Sequence, residues 1–217
     1  MDPQKLSDCQ SSYDRIAEEY TARIAGELEH KPLDRMLLDE FAARVKNAGR
    51  VCELGCGPGH VARYLHDRGV DVFGIDLSPG MLEQARKLNP AIEFQQGNML
   101  TLDVEGGAWA AIVAFYSIIH IPKMDILQAF REMFRALKPG GLLFLAFHIG
   151  LEVLREENLW GHQVSLDVVF YARKEVERYL GLAGFAIEDS LERDPYAPEV
   201  EYQSRRAYIR ACRPAVK

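Results

Sequence analysis

Apolar residues recur at helical spacing through the first 46 positions of the chain. The two apolar stripes are Tyr13, Ile16, Ala17, Tyr20, Ile24 and Leu28, and then Leu33, Leu37, Phe41 and Val45. Spacings of three and four residues predict amphipathic helices. Pro32 separates the stripes, because the residue before a proline avoids the helical conformation. We therefore expect two helices between Asp8 and Lys46, forming a helical cap over residues 1–47.

Beyond Arg50 the pattern changes to short apolar runs that alternate with amphipathic segments. The apolar runs predict five strands: Val51–Leu54, Val70–Ile75, Ile92–Gln95, Ala110–Tyr116 and Leu142–Phe147. The amphipathic segments predict three helices between them: His60–Asp67, Pro79–Leu88 and Met124–Leu137. Alternating strands and helices specify a parallel sheet with helices on both faces. We assign residues 48–148 to this core.

The pattern loosens after His148. Gly150–Ser165 looks like an insertion, so residues 149–172 are expected to form a lid. A helix over Lys174–Ala183 and an antiparallel pair of edge strands, Phe185–Leu191 and Tyr202–Cys212, are expected to close the fold over residues 173–217. The prediction is one α/β domain with a seven-stranded, mostly parallel sheet.

The composition indicates a globular protein and bears on its expected location in the cell. The 217 residues are 48% hydrophobic and 27% charged, which is typical of a globular protein, and no apolar run approaches the roughly 20 residues that span a bilayer. The acidic N-terminal region lacks the features of a signal peptide. We expect a cytoplasmic protein without a membrane partner. Its oligomeric state, monomer or homodimer, stays open.

Net charge and cysteine spacing argue against two classes of ligand. The net charge is −6, whereas a protein that binds a phosphate backbone is expected to present a basic surface, so we expect no nucleic-acid partner. The four cysteines lack zinc spacing and are expected to be buried free thiols.

The strongest motif is the glycine loop Glu53-Leu54-Gly55-Cys56-Gly57-Pro58-Gly59, which follows a predicted strand and precedes a predicted helix. Glycine permits a tight turn and a close approach of ligand to backbone. The helix that follows presents free N–H groups to an anion. His60 occupies the place of the third glycine of a dinucleotide fingerprint, which argues against a nicotinamide-dependent oxidoreductase.

Two further motifs follow the next strands. Asp76 ends the second strand, where a carboxylate can accept hydrogen bonds from both hydroxyls of a ribose. Asn98 and Met99 follow the third strand, where an amide can meet an adenine amino group and a thioether can pack on the ring.

Together these motifs resemble the class I S-adenosylmethionine-dependent methyltransferases, in their small-molecule branch, over roughly residues 45–148. The resemblance implies a Rossmann-like methyltransferase fold and S-adenosylmethionine as cofactor. Asn98 and Ala110 depart from the family pattern, which often has aspartate at both places.

The resemblance also implies roles for individual residues. Gly55 and Gly57 would adjoin the methionine part of the cofactor, Asp76 would hold the ribose, and Tyr20 would act as a lid. The expected cofactor-binding residues are Tyr20, Glu53, Gly55, Cys56, Gly57, Asp76, Leu77, Met81, Asn98, Met99 and Phe115.

Methyl transfer is an in-line displacement that depends on alignment, and an oxygen or nitrogen nucleophile can also need a base. His120 and His148 follow the fourth and fifth strands and are the candidate bases, since imidazole titrates near neutral pH. A hydrogen bond to substrate, a helix-start contact or a purely structural role are the alternatives. The two histidines could form a metal site with His162, but no spacing supports one, and we expect no metal.

The substrate is expected beyond the carboxyl ends of the strands. The candidate substrate-binding residues are Tyr13, Tyr116, Ser117, Trp160, His162 and Arg205. Trp160 could equally be core packing. Arg205 and Arg206 should face opposite sides of a strand, so one of them could meet an acidic substrate, with exposed edge charges as the alternative.

The leading hypothesis is a small-molecule methyltransferase. An RNA or protein methyltransferase is the first alternative, but the Asn- or Asp-Pro-Pro-aromatic tetrapeptide of many amino-methylating enzymes is replaced by Phe115-Tyr116-Ser117-Ile118. A non-catalytic module that binds the cofactor is the second alternative.

Overall fold

A computed structural model describes residues 1–215. The strands are β1 (Val51–Leu54), β2 (Val72–Asp76), β3 (Glu93–Gln96), β4 (Trp109–Phe115), β5 (Leu137–His148), β6 (Val153–Leu159), β7 (His162–Val169), β8 (Ala186–Arg193) and β9 (Arg206–Cys212). The helices are α1 (Pro3–Ile24), α2 (Pro32–Val45), α3 (His60–His66), α4 (Pro79–Leu88), α5 (Ile126–Ala136) and α6 (Arg173–Ala183). Single 3-10 turns lie at Glu27–His30 and Ile118–His120.

Seven strands form one sheet in the order β3-β2-β1-β4-β5-β9-β8. β1 to β5 are parallel to their neighbours, and β9 runs antiparallel between β5 and β8. This arrangement confirms the predicted Rossmann-like α/β fold, including the closing antiparallel pair. The strand order reverses between β1 and β4, which opens a crevice at the carboxyl ends of these strands.

Two apolar cores cover the two faces of the sheet. One contains the buried faces of α5 and α6, and the other contains those of α2, α3 and α4. β4 is buried from Trp109 to Ala114 because helices pack on both of its faces. This rigid frame fixes the ends of β1, β2 and β4, from which the glycine loop and the polar residues of the crevice project.

The N-terminal helix α1 closes the crevice by packing on α4 and on the β6–β7 hairpin. Ile16 and Ala17 of α1 form a small apolar cluster with Met81 of α4 and with Val164 and Leu166 of β7. The Ser165 N–H donates to Ser12 Oγ at 2.9 Å, and Lys5 Nζ lies 2.8 Å from Asp167 Oδ2.

The predicted loose insertion at Gly150–Ser165 is corrected by the structure. The segment forms the antiparallel hairpin β6–β7, separate from the main sheet. Trp160 and Gly161 form its two-residue turn, both with positive φ (53° and 86°), which suits the twist of a tight hairpin. Val164 and Leu166 of β7 face α1, whereas Val168 and Val169 pack on the main core, so the first half of the strand needed a partner that the local sequence does not reveal.

Two strand starts differ from prediction by four residues or more, and two cysteines are less buried than expected. β9 begins at Arg206, so Tyr202 to Arg205 precede the strand. β5 begins at Leu137, because Leu137 already pairs with Trp109 before the Lys138–Gly141 segment that was expected to separate helix from strand. All four cysteines are free, but Cys9 and Cys212 are only half-buried. Among the helices within residues 1–215, none is both long and apolar enough to cross a bilayer.

Candidate active site

The glycine loop turns sharply against the residues that follow β4. Gly55 has φ of +75°, and a Cβ there would lie 2.3 Å from the Ser117 Cβ. The N–H groups of Gly55 and Cys56 both donate to the Ile75 carbonyl, at 2.7 and 3.0 Å. Only glycine meets both the backbone conformation and the close approach, so the loop packs tightly between the end of β2 and the turn after β4.

Glu53 lies beneath the loop and caps the helix that follows it. Its Oε2 accepts the Ala62 N–H at 2.7 Å, near the start of α3. Burial raises the pKa of Glu53 well above its ordinary value. The side chain lines the cavity formed by the loop and fixes the position of the α3 N-terminus.

Asp76 is held by two backbone N–H groups at the end of β2. Gly57 donates to Oδ2 at 2.7 Å and Ser78 donates to Oδ1 at 2.9 Å. Burial raises the pKa of Asp76, and the hydrogen bonds from Ser78 and Gly57 oppose that rise. Each carboxylate oxygen keeps a second lone pair, so the group can accept further hydrogen bonds from a ligand.

A cavity runs from the glycine loop past Asp76 to Asn98, under α1; we call it the glycine-loop cavity. All eleven predicted cofactor-binding residues line it. Asn98 Oδ1 accepts the Leu100 N–H at 2.9 Å, which leaves one lone pair for an adenine amino group. The sequence did not point to Leu6 and Cys9, which cover the cavity because α1 crosses it.

A second cavity, of about 270 Å³, lies between α1, the β6–β7 hairpin and the start of β9; we call it the cap cavity. Six residues line both cavities: Tyr13, Tyr20, His60, Phe115, Tyr116 and His120. The two spaces are therefore neighbours across a shared and mostly aromatic wall.

The candidate substrate residues divide between these cavities and the outer surface. Tyr116 lines both cavities, and Trp160 lines the cap cavity with its ring 6.0 Å from that of Tyr20. Ser117 lines only the glycine-loop cavity, and its Oγ donates to the Leu54 carbonyl at 2.7 Å. Tyr116 and Trp160 are the two non-glycine residues with positive φ among residues 1–215.

His162 and Arg205 lie outside both cavities. His162 borders a groove between α1 and α4, because the hairpin turn carries it to the outer side. Arg205 is exposed and pairs with Glu192 and Asp194 at 3.1 and 3.2 Å. The neighbouring Arg206 lines the cap cavity instead, since β9 begins there and turns that side chain inward.

His120 makes two hydrogen bonds that define its protonation. Its Nδ1 lies 2.9 Å from the Asp167 carbonyl oxygen, which can only accept, so Nδ1 carries the proton. Its Nε2 then accepts from the Tyr13 hydroxyl at 2.6 Å. Burial lowers the pKa of His120 and raises that of Tyr13. At neutral pH the pair is an uncharged tyrosine bonded to an uncharged imidazole.

His148 lines the cap cavity but not the glycine-loop cavity. Its Nδ1 lies 2.8 Å from Ser204 Oγ. Burial, reinforced by Arg206 and Lys31, lowers the pKa of His148 to about 3. His148 reaches the shared wall through Tyr116, with the two rings 5.3 Å apart, whereas His120 is itself part of that wall.

Sequence reasoning missed a buried polar cluster beside the cap cavity. Lys31 Nζ lies 2.6 Å from Glu27 Oε2, and His60 Nε2 lies 3.1 Å from Glu27 Oε1. Although burial raises it, the pKa of Glu27 is held at about 2 by His60 and Lys31. No local motif marks these residues, because the 3-10 turn and the glycine loop bring them together. Within residues 1–215, no three His, Cys, Asp or Glu side chains are grouped to hold a metal ion.

Residues 51–141, which span β1 to the start of β5, match the family model described as a methyltransferase domain. A malonyl-[acyl-carrier protein] O-methyltransferase of Enterobacter lignolyticus is 33% identical over 118 residues, which cover 53% of this chain and 46% of that protein. A demethylmenaquinone methyltransferase of Beutenbergia cavernae is 27% identical over 143 residues, 64% of this chain and 57% of that protein. The chain thus spans about half the length of the curated relatives it matches.

Among solved structures, DhpI in complex with SAH (S-adenosylhomocysteine) superposes with a TM-score of 0.73 at 21% identity, and the match covers 98% of each chain. This likeness concerns the fold and extends over the cap and the hairpin as well as the core. With the glycine loop and the aspartate that ends β2, residues 51–141 therefore form a methyltransferase domain with the Rossmann-like fold.

Proposed function

We propose that this protein transfers a methyl group from S-adenosylmethionine to a small-molecule acceptor held in the cap cavity. The observation that carries the proposal is the shared wall between the two cavities. A cofactor under α1 and an acceptor under the hairpin would meet across Tyr13, Tyr20 and Phe115. Such an enclosed approach suits alignment of a nucleophile with an activated methyl group.

The residues of the glycine-loop cavity fit the proposed cofactor. Gly55 and Gly57 would adjoin its amino-acid part, Asp76 would accept from its ribose hydroxyls, and Asn98 would pair with its adenine. Their position along one cavity and the open lone pairs of Asp76 support this placement. When bound, S-adenosylmethionine supplies a methyl group already activated by the sulfonium, so the leaving group needs no acid.

The cap cavity favours a small acceptor group over a nucleic acid. It is covered by α1 and by the hairpin. We propose that residues 1–47 and 149–172, which contain these elements, act together as a lid on the cavity. The relatives carry names with very different acceptors, a malonyl-acyl carrier protein and demethylmenaquinone, so their names do not select one. A volume of about 270 Å³ suits a compact ring or a short chain.

We assign proton removal to the Tyr13–His120 pair. Tyr13 lines both cavities, and its hydroxyl donates to His120 Nε2. An acceptor O–H or N–H that binds the Tyr13 oxygen could pass its proton to Tyr13 as the tyrosine proton moves to His120. His148 lines the cap cavity but not the glycine-loop cavity, so it is better suited to bind the acceptor.

A non-catalytic cofactor-binding module is the second candidate, since the glycine loop alone would serve it. The cap cavity disfavours that function, because a module without an acceptor has no use for a second enclosed cavity beside the first.

Two measurements test the proposal. Calorimetric titration with S-adenosylmethionine and with SAH should show saturable binding of both. Incubation with methyl-labelled cofactor and a panel of small phenols, amines and carboxylic acids should transfer label to at least one class of acceptor. Cofactor binding with no transfer to any acceptor would favour the module, and absence of binding would exclude both functions.

A further inference from the structure

Arg206 is the most unusual side chain of the cap cavity. It is a large, positively charged residue, yet it is only 1% exposed. Its Nη groups donate to neutral oxygens: Nη1 to the Ser204 carbonyl at 2.6 Å and to Ser204 Oγ, and Nη2 to the Tyr202 carbonyl at 2.7 Å. Its Nε is buried and has no hydrogen-bond partner among residues 1–215. A buried N–H on a cation is costly to leave unpaired, so a missing acceptor is indicated.

His148 offers a second donor at the same end of the cavity. Ser204 Oγ accepts from Arg206, so its own hydrogen is available for His148 Nδ1 at 2.8 Å, which is closer than the Arg205 carbonyl at 3.3 Å. The neutral imidazole therefore carries its proton on Nε2, which has no protein partner within the described chain. His148 is thus a donor toward the cavity, and its depressed pKa keeps it neutral.

Most of the acidic and basic groups around this end of the cavity are paired with one another. Glu201 receives two hydrogen bonds from Arg193, while Lys31 and Arg206 each stand 3.6 Å from it. Lys31 has Glu27 as its closer partner. Arg193 also pairs with the buried Asp34 at 3.2 Å, so Arg206 is the cation here that has no carboxylate within hydrogen-bond distance. Glu156 also lines the cavity, on β6 of the hairpin.

We propose, on the basis of the methyltransferase function above, that the acceptor is a small molecule with a carboxylate that binds Arg206 and His148. One carboxylate oxygen binds the Arg206 guanidinium and the other accepts from His148 Nε2. The nucleophilic atom is a different group of the same molecule, at the Tyr13–His120 end. The carboxylate selects the acceptor and is not itself methylated.

The separation of the two ends follows from which residues line which cavity. Arg206 and His148 line the cap cavity alone, whereas Tyr13 and His120 line both cavities and so lie next to the cofactor. Apolar side chains line the cap cavity as well: Ile24, Leu154, Leu166, Val168 and Phe170. The acceptor is therefore amphipathic, with an apolar body between an anionic anchor and the reacting group.

The test uses the full chain saturated with SAH and measures binding by calorimetry, independently of turnover. The probes are 4-hydroxybenzoate, 4-hydroxyphenylacetate and 3-(4-hydroxyphenyl)propanoate, each with its carboxamide as a neutral isostere. We expect at least one acid to bind about tenfold or more tighter than its amide, the effect of a charge-assisted hydrogen bond. Equal affinity of every acid and amide, or no binding of any acid, would overturn the proposal.

Two variants assign the preference to the proposed donors. Arg206→Gln should reduce the ratio of acid affinity to amide affinity to near one, and His148→Leu should reduce that ratio partly. His148→Leu provides the test if Arg206→Gln does not fold. Arg210→Gln is the matched control on the same strand, since Arg210 pairs with Glu40 and Asp189 and lies outside the cavity. Retention of the full ratio in both Arg206→Gln and His148→Leu would refute the assignment. If the wild-type protein did not bind SAH at all, that result would instead contradict the proposed function.

Discussion

The Tyr13 hydroxyl lies 2.6 Å from His120 Nε2, although 107 positions separate the two residues in the chain. The Asp167 carbonyl, on β7, holds the other ring nitrogen at 2.9 Å. The cap helix, the turn after β4 and the hairpin each supply one member of this chain of hydrogen bonds. Closure of the cap over the core is therefore what assembles it.

Removing either end of this pair should slow methyl transfer and spare the cofactor. We expect Tyr13→Phe and His120→Ala to lower kcat by roughly 10²–10⁴-fold, the range for a lost general base. SAH affinity should change little, because neither change touches the glycine loop or Asp76. Turnover is measured with an acceptor from the panel, and SAH binding by calorimetry. Full activity in both variants would remove the pair from the mechanism.

The pH dependence of turnover should report His120. Transfer needs the neutral imidazole, and burial lowers the His120 pKa below its ordinary 6.5. Activity should therefore persist as pH falls through 6.5 and decline only at lower pH. The pH–rate profile is measured with an acceptor that does not titrate in this range. An acid limb at or above pH 6.5 would contradict the assignment.

Asp76→Ala should weaken binding of S-adenosylmethionine by about 1–3 kcal/mol, the range for hydrogen bonds to a charged group. The lost carboxylate no longer accepts from the ribose and no longer holds the Gly57 N–H. Calorimetric titration measures the effect. Asp71→Ala, an exposed aspartate just before β2, is the control and should bind normally. Unchanged affinity in the Asp76 variant would refute the ribose assignment.

Two glycine substitutions separate backbone strain from steric conflict. Gly140 has φ of +78° with nothing within 4 Å of a Cβ, so Gly140→Ala should cost about 1–2 kcal/mol of unfolding free energy. Gly55→Ala adds the clash with Ser117 and should cost roughly 1–3 kcal/mol more. Urea unfolding measures both. Equal losses would mean that Ser117 moves away freely.

His148 should make the protein sensitive to acid. Its folded-state pKa of about 3 lies below the ordinary 6.5, so the unfolded chain binds more protons between these values. The contribution is complete above pH 6.5 and is lost as pH falls toward 3, by at most about 1.4 kcal/mol per pH unit. Urea unfolding from pH 7 to 4.5 should therefore show a shallower decline for His148→Leu than for the wild type. Parallel curves would count against burial of a neutral His148.

The core of the fold could be predicted because its strands are continuous apolar runs between turn signals, as in β4, and such runs occur where both faces of a sheet are covered. The β6–β7 hairpin could not be predicted in this way, because β7 packs on α1, which lies more than a hundred residues earlier in the chain. Arg205 was predicted as the substrate-binding residue, whereas Arg206 lines the cap cavity, for a related reason. The alternation of side chains along a strand places the two arginines on opposite faces, but only the start of β9 decides which face points to the cavity.

The sequence by itself determined the alternation of strands and helices and the loop after Leu54, since glycine conformations and apolar periods are local properties. Together with the family resemblance it also pointed to the proposed cofactor residues at and after the carboxyl ends of β1 to β4, because these ends meet at one crevice, whereas Tyr20 reaches that crevice from α1. Only the tertiary structure decided the acceptor side. Lys31, His60, His148 and Arg206 come from separate segments, and burial and charge at their meeting point depend on how the cap, the hairpin and β9 pack together.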